Sequence, residues 1–197
     1  MNRQTAKFAL LTLILTTSPL ALPSVPISYK SPEFTIHEPS GKTALLSSLQ
    51  GKVVVLEFLF INSQHCLRVA ETLNKLHAEL GPGGFLPVGV VFDPPNAANT
   101  GAPYLAMMVD YLKLSYPVGY SVKADVDKYL GRSGSEILNI PQIVVIDRSG
   151  VIRAASGGAG GDSRLEDENS LRALINNLLK EGGPPGPKKK QPTLKTK

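Results

Sequence analysis

A hydroxyl, an imidazole and the one thiol of the chain stand together at Ser63-Gln64-His65-Cys66, and a carboxyl, Glu57, precedes them inside an otherwise apolar run. A cysteine reacts as its thiolate, so nucleophilic or redox chemistry at Cys66 needs a feature that takes up the proton or favours the anion. The run Val53 to Phe60 reads as a strand and passes through a short polar break into a helix beginning near Ser63. The first turn of a helix carries partial positive charge and favours a thiolate. The stripe formed by Cys66, Val69, Ala70 and Leu73 points the other way, turning the thiol toward a core that would raise its pKa and hide it. Two readings of Cys66 follow, a packed core thiol and a functional one. Ser63 is placed to cap the helix. Gln64 and His65 complete the turn, His65 as an exposed residue, and a Ser63–His65 dyad is disfavoured because helical residues two apart face different directions. Glu57, desolvated within its strand, should have a raised pKa.

These groups depend on the elements that carry them. Glu33 to Glu38 reads as a short extended segment, and turns at 39–42 and 50–52 precede the strand Val53 to Phe60. Apolar residues recur at helical spacing from Ser63 to Leu80, and Gly81-Pro82-Gly83-Gly84 stops the helix. Phe85 to Phe92 is a second buried strand, Asp93 to Pro103 a loop, Tyr104 to Leu114 a helix and Val126 to Leu130 a short helix. Gln142 to Asp147 and Val151 to Ala155 form a hairpin around Arg148-Ser149-Gly150, and Glu166 to Leu179 is a final amphipathic helix. Strands alternating with helices, then a hairpin and a terminal helix, give a mixed sheet covered on both faces.

The ends differ from the body. Arg3 and Lys7 precede an apolar run from Phe8 to Leu15 and a stretch of small residues and prolines, so residues 1–24 are expected to be a signal peptide or a short anchor. Export to the periplasm or another extracytoplasmic space is the expectation, with transient membrane contact through the N-terminus. Residues 30–181 form the folded domain, and the Pro/Gly/Lys-rich stretch 182–197 is expected to be a disordered tail. The net charge of +5, from 21 basic and 16 acidic residues, is accounted for by Lys188, Lys189, Lys190, Lys195 and Lys197. The body is therefore near neutral, and no nucleic-acid partner is expected. With one cysteine, no internal disulfide can form and stability must come from the core.

Three segments carry a resemblance. Pro32-Glu33-Phe34, the run Leu-Ser-Ser-Leu-Gln-Gly-Lys-Val-Val-Val at 46–55, and Ile140-Pro141-Gln142-Ile143-Val144-Val145-Ile146-Asp147-Arg148-Ser149-Gly150 resemble the TlpA-like and AhpC/TSA redoxin branch of the thioredoxin superfamily over about residues 30 to 180. The resemblance implies an α/β, thioredoxin-like fold, a mixed central sheet flanked by helices with an N-terminal extension, and oxidoreductase chemistry on protein thiols and disulfides. It implies that Pro141 is the cis-proline facing the active-site turn, so that Ile140 and Pro141 help hold an extended peptide. It also implies that Glu57 is the buried acid that exchanges protons with Cys66, which makes these two the catalytic candidates.

The departure is at Ser63. Where the family has Cys-x-x-Cys, this chain has Ser63-Gln64-His65-Cys66. A serine can neither form nor resolve a mixed disulfide, so a dithiol cycle is lost. One function class is then a monothiol redoxin that uses Cys66 with an external thiol. A second is a binding module in which Ser63 caps, Cys66 packs and the Pro141 face recognises extended peptides. A third is a peroxiredoxin-like peroxidase, since those enzymes place a hydroxyl three residues before the reactive cysteine, although Leu59 stands where they have proline. Copper binding by Cys66 with His37, His77, Met107 or Met108 has too few soft ligands to be expected. The glycines from Gly157 to Gly161 do not match a dinucleotide fingerprint. No cofactor or metal is expected, and the oligomeric state is left open.

Overall fold

The computed structural model describes residues 28–92, 97–133, 138–157 and 161–181. The expected signal segment and the tail lie outside them. The organising element is strand β4, Val53–Leu59, all seven residues of which are buried. Its continuous apolar run suits a strand covered on both faces. It pairs in parallel with β5, Phe85–Val91, from Val53↔Phe85 to Leu59↔Val91, and antiparallel with β7, Gln142–Ile146, from Val54↔Ile146 to Phe58↔Gln142.

Around this centre the described strands form one sheet in the order β1-β8-β7-β4-β5-β6-β2-β3. The outer members are β1 (Tyr29–Lys30), β2 (Thr35–His37), β3 (Thr43–Leu45), β6 (Val118–Tyr120) and β8 (Val151–Ala155). Helix α1, Gln64–Leu80, crosses from β4 to β5, and α2, Ala97–Tyr111, from β5 to β6. Helices α3, Lys123–Tyr129, and α4, Glu168–Lys180, complete the fold.

Alternation along β4 builds two cores. Val53, Val55 and Leu59 pack with Val69, Leu73 and Leu76 of α1, Leu105 and Met108 of α2, and Leu171, Ile175 and Leu178 of α4. Val54, Leu56 and Phe58 face the other side with Phe34, Ile36, Val126 and Tyr129. There Phe34 meets Phe58 edge-on at 5.4 Å and Tyr129 at 5.2 Å, the arrangement aromatic pairs prefer.

The mixed, two-sided sheet agrees with the sequence, while several elements differ in detail. The β7–β8 hairpin forms, with a register shift between Val145 and Ile146. The extended segment before Glu38 is reduced to β2, which pairs with the unanticipated β3. Strands β1 and β6 were also not expected; with two and three residues, they are held by neighbours distant in sequence. Helix α2 begins at Ala97, inside the stretch read as a loop, although Pro103 offers no N–H to the carbonyl four residues back. Burial of Leu105 and Met108 outweighs that local loss. Helix α3 starts three residues earlier than expected and α4 two residues later, after a 3-10 turn at Ser163–Glu166.

The β2–β3 hairpin meets the rest of the sheet through the single His37↔Tyr120 pair, so its seat depends on close approach at Gly119. A Cβ there would lie 2.7 Å from the His37 carbonyl oxygen and closer still to Ile36 Cγ2. Gly119→Ala is expected to cost about 1–3 kcal/mol in urea denaturation, as overpacking does. An unchanged midpoint would contradict this packing of β2 on β6.

Candidate functional site

The site forms at the carboxyl end of β4. The chain leaves the strand at Leu59, turns with the Ser63 N–H donating to the Phe60 carbonyl at 3.2 Å, and enters α1. Ser63 is the N-cap, in extended conformation (φ −95°, ψ 110°), and its Oγ accepts the Cys66 N–H at 3.3 Å. The hydroxyl at the position where the resemblance implies a cysteine thus satisfies a helix-start donor, as a serine N-cap does.

Cys66 is fully buried, with 0% of its surface exposed, in the core beneath α1. Burial pushes its thiol above the ordinary 9.0; the Ser63 hydroxyl and the backbone at Phe60 pull it down, and the charge of Glu57 adds to the rise. Glu57 is also fully buried. By strand alternation with Val55 and Leu59, it points to the face covered by α1. Neither of its carboxylate oxygens has a hydrogen-bond partner in the described structure, and burial holds its pKa well above 4.5. Both shifts run toward the uncharged forms, a thiol and a carboxylic acid.

A third group in this environment had no sequence signal. Tyr116 follows α2, is 5% exposed, and donates its hydroxyl to the Ala70 carbonyl at 3.3 Å. Burial first, and then the charge of Glu57, push its phenol well above 10. It closes the same interior from the α2 side.

The outer residues of the turn face solvent. Gln64 and His65 are exposed, and His65 Nε2 lies 2.8 Å from Glu166 Oε2 in the 3-10 turn before α4. This joins the start of α1 to the loop after β8, and Lys75–Glu168 at 2.8 Å continues the contact down the two helices. Exposed pairs of this kind contribute little stability, so their effect is positional.

On the other side of the turn, the Ile140–Pro141 peptide bond is cis, Pro141 is buried and Ile140 is half-buried. The Phe58↔Gln142 pairing brings Pro141 beside the end of β4, next to the turn that carries Ser63. The Ile143 N–H donates to Ser156 Oγ at 2.8 Å, and the Ser156 N–H returns a bond to the Ile143 carbonyl at 2.9 Å. Gln142 donates to the Asn139 carbonyl and fills the space a side chain at Gly157 would need. The Ser63 turn, the Pro141 segment and the start of the loop after β8 therefore converge at one end of the sheet. Residues 158–160 of that loop and 93–96, after β5, lie outside the described residues.

The remaining candidates are dispersed. His37 stacks on Tyr120 at 5.5 Å, His77 Nδ1 meets Ser115 Oγ at 3.1 Å, Met108 lies in the core and Met107 is exposed. Among the described residues no three His, Cys, Asp or Glu side chains gather as a metal site.

The buried acid has a signed consequence. Because its folded pKa is raised, both folded and unfolded chains are protonated below about pH 4.5, and stability falls as pH rises and only the unfolded chain ionises freely. Glu57→Gln is expected to be more stable than the parent at pH 8, with the advantage vanishing toward pH 4, as read by urea denaturation at each pH. A parent whose stability rises with pH relative to the variant would contradict a protonated Glu57. Ser63→Ala is expected to cost about 1 kcal/mol through loss of the cap.

Comparison with known proteins agrees with this architecture. A solved Bacteroides thetaiotaomicron structure, described as a candidate protein disulfide isomerase, is 28% identical with TM-score 0.61, covering 79% of this chain and 91% of its own. A Chlorobium tepidum thiol:disulfide interchange protein of the thioredoxin family superposes at TM-score 0.61 and 20% identity, covering 77% and 97%. A secreted Mycobacterium tuberculosis disulfide oxidoreductase, homologous to E. coli DsbE, does so at 0.56 and 17%, covering 74% and 96%. No curated protein matches the chain. The fold is thioredoxin-like, that of thiol:disulfide oxidoreductases. The pattern of the AhpC/TSA family matches residues 27–155, about two thirds of the chain, and the chain belongs to that family.

Proposed function

We propose that this protein is an exported thioredoxin-like module that cannot run a dithiol cycle alone and that holds extended peptide or protein segments at the Ser63–Pro141 end of its sheet. One observation carries the reading: the only cysteine, Cys66, has 0% exposure, while the outward position of the turn holds Ser63, engaged as a helix cap. Disulfide exchange begins with a thiolate attacking an accessible sulfur. Cys66 offers neither access nor a favoured anion, and Ser63 cannot form the mixed disulfide. Glu57, which could take a proton from Cys66, then has no exchange step to serve.

The binding part of the reading is supported by what surrounds the turn. The described structure forms no backbone–backbone hydrogen bond at Ile140, just before Pro141, leaving polar groups that an extended segment could pair with. Likeness to proteins of thiol:disulfide interchange favours protein segments as partners. Export is supported by the basic-then-apolar start of the chain and by a structural neighbour described as secreted. No helix among the described residues is long and apolar enough to cross a membrane.

A monothiol enzyme using Cys66 with an external thiol would need the first turn of α1 to open. A peroxidase would need peroxide to reach the same sulfur; Leu59 stands where that family has proline, and no arginine is among the groups that shift the thiol. Both demand an access the folded chain does not provide.

The test is an insulin-reduction assay with dithiothreitol. The parent is expected to show no turnover above background, and Ser63→Cys, which adds an outward thiol ahead of Cys66, is expected to gain it. Turnover by the parent would overturn the redox-silent reading. A folded but inactive Ser63→Cys variant would count against a substrate groove at Pro141.

A further inference from the structure

Exposed apolar side chains gather on one helix. Of the six large ones that the described residues leave exposed, three lie on α2: Tyr104 at 53%, Met107 at 60% and Tyr111 at 79%. At about 100° per residue these three share an arc of roughly 60° and form a ridge along the helix. Leu105 and Met108 meanwhile fix α2 to the core. Neither tyrosine hydroxyl has a hydrogen-bond partner among the described residues. Beside the ridge, on the other flank of the same helix, lies a groove of about 580 Å³. Its apolar walls are Ala106, Val109, Leu114 and Val118, with Pro39 from the β2–β3 turn. Its only charged lining residues, Asp110 and Lys113, pair with each other at 2.9 Å. One surface thus offers both a projecting apolar edge and an apolar recess.

We propose that two copies of this chain pair through α2 about a two-fold axis along the helix, the Tyr104–Met107–Tyr111 ridge of each copy seated in the α2 groove of the other. Rotation about such an axis exchanges the two flanks of the helix, so ridge meets groove twice and the pair is closed. A ridge and a recess side by side on one element are self-complementary, which is what a contact between identical copies needs. The ridge exposes roughly 400 Å², taking about 150–250 Å² for each large side chain. With a like area of groove wall covered in each copy, the contact buries roughly 1,600 Å², the size of a specific interface. Tyrosine and methionine are residues that such interfaces favour. The pairing also brings Tyr111 level with Asp110 of the other copy, whose carboxylate can accept its hydroxyl. Charge does not oppose the contact, because five lysines beyond residue 187 account for the net +5 and leave the domain near neutral.

The test is sedimentation equilibrium of the full chain from low to high micromolar concentration, where a reversible equilibrium between one copy and two is expected. A Met107→Gln, Tyr111→Gln variant removes the ridge, and Ala106→Gln fills the groove. All three positions are exposed, so the circular dichroism and urea midpoint of dilute samples are expected to match the parent. Each variant is expected to raise the dimer Kd about tenfold or more, as loss of a central contact does. Four results would each overturn the proposal: a single copy at every concentration, association that continues past two copies, a dimer that both variants leave intact, or a dimer weakened by the ridge variant alone.

Discussion

Burial of β4 on both faces is the constraint from which the rest of the molecule follows. A strand with no exposed residue must be paired along both edges and covered above and below. It therefore requires β5 and β7 as partners, α1 and α4 on one face, and Phe34, Val126 and Tyr129 on the other. The same constraint makes Glu57 unusual, because it places a carboxyl in a strand with no exposed residue. Desolvation raises the pKa of an acid so placed, and burial likewise pushes the Cys66 thiol and the Tyr116 phenol toward their neutral forms.

Substitution at one position changes what this frame can do. The N-cap of α1 is the outward point of the turn, and a residue there either acts on substrates or satisfies the helix. Ser63 satisfies the helix, giving Cys66 N–H its acceptor. The inward thiol then has no second thiol beside it, and Glu57 and Cys66 are buried polar groups within an apolar core. The convergence of Pro141, the Ser63 turn and the loop after β8 does not depend on redox chemistry, since hydrogen bonds between Ile143 and Ser156 and the fit of Gln142 against Gly157 maintain it. A face built this way keeps its shape whether or not a thiol turns over beside it.

What could be read from the sequence tracks how local the determining physics is. Strand β4, the start of α1 at Ser63, the glycine stop after Leu80 and the β7–β8 hairpin each rest on neighbours in sequence, and each was legible. Strands β1, β3 and β6 were not, because two or three residues carry no periodicity and their pairing partners, such as Ile152 for Tyr29, are far along the chain. Helix α2 was truncated because the proline- and asparagine-rich stretch up to Pro103 read as a loop, while the packing that overrides it is tertiary. At the site, Cys66, Glu57 and Ser63 were visible as residue types and spacing. Tyr116 was not, since only the folded chain brings it to Ala70, and the burial that separates an inert thiol from a reactive one is likewise a tertiary property.

The most direct measurement is the rate of iodoacetamide labelling of Cys66 as a function of pH, in the folded chain and in the same chain unfolded in urea. A thiol sealed beneath α1 labels far more slowly in the folded chain than in the unfolded one at every pH, with no acceleration below the ordinary thiol pKa of 9.0. Fast labelling of the folded chain with an apparent pKa below that of the unfolded chain would contradict a sealed, redox-silent site and restore Cys66 as a working nucleophile.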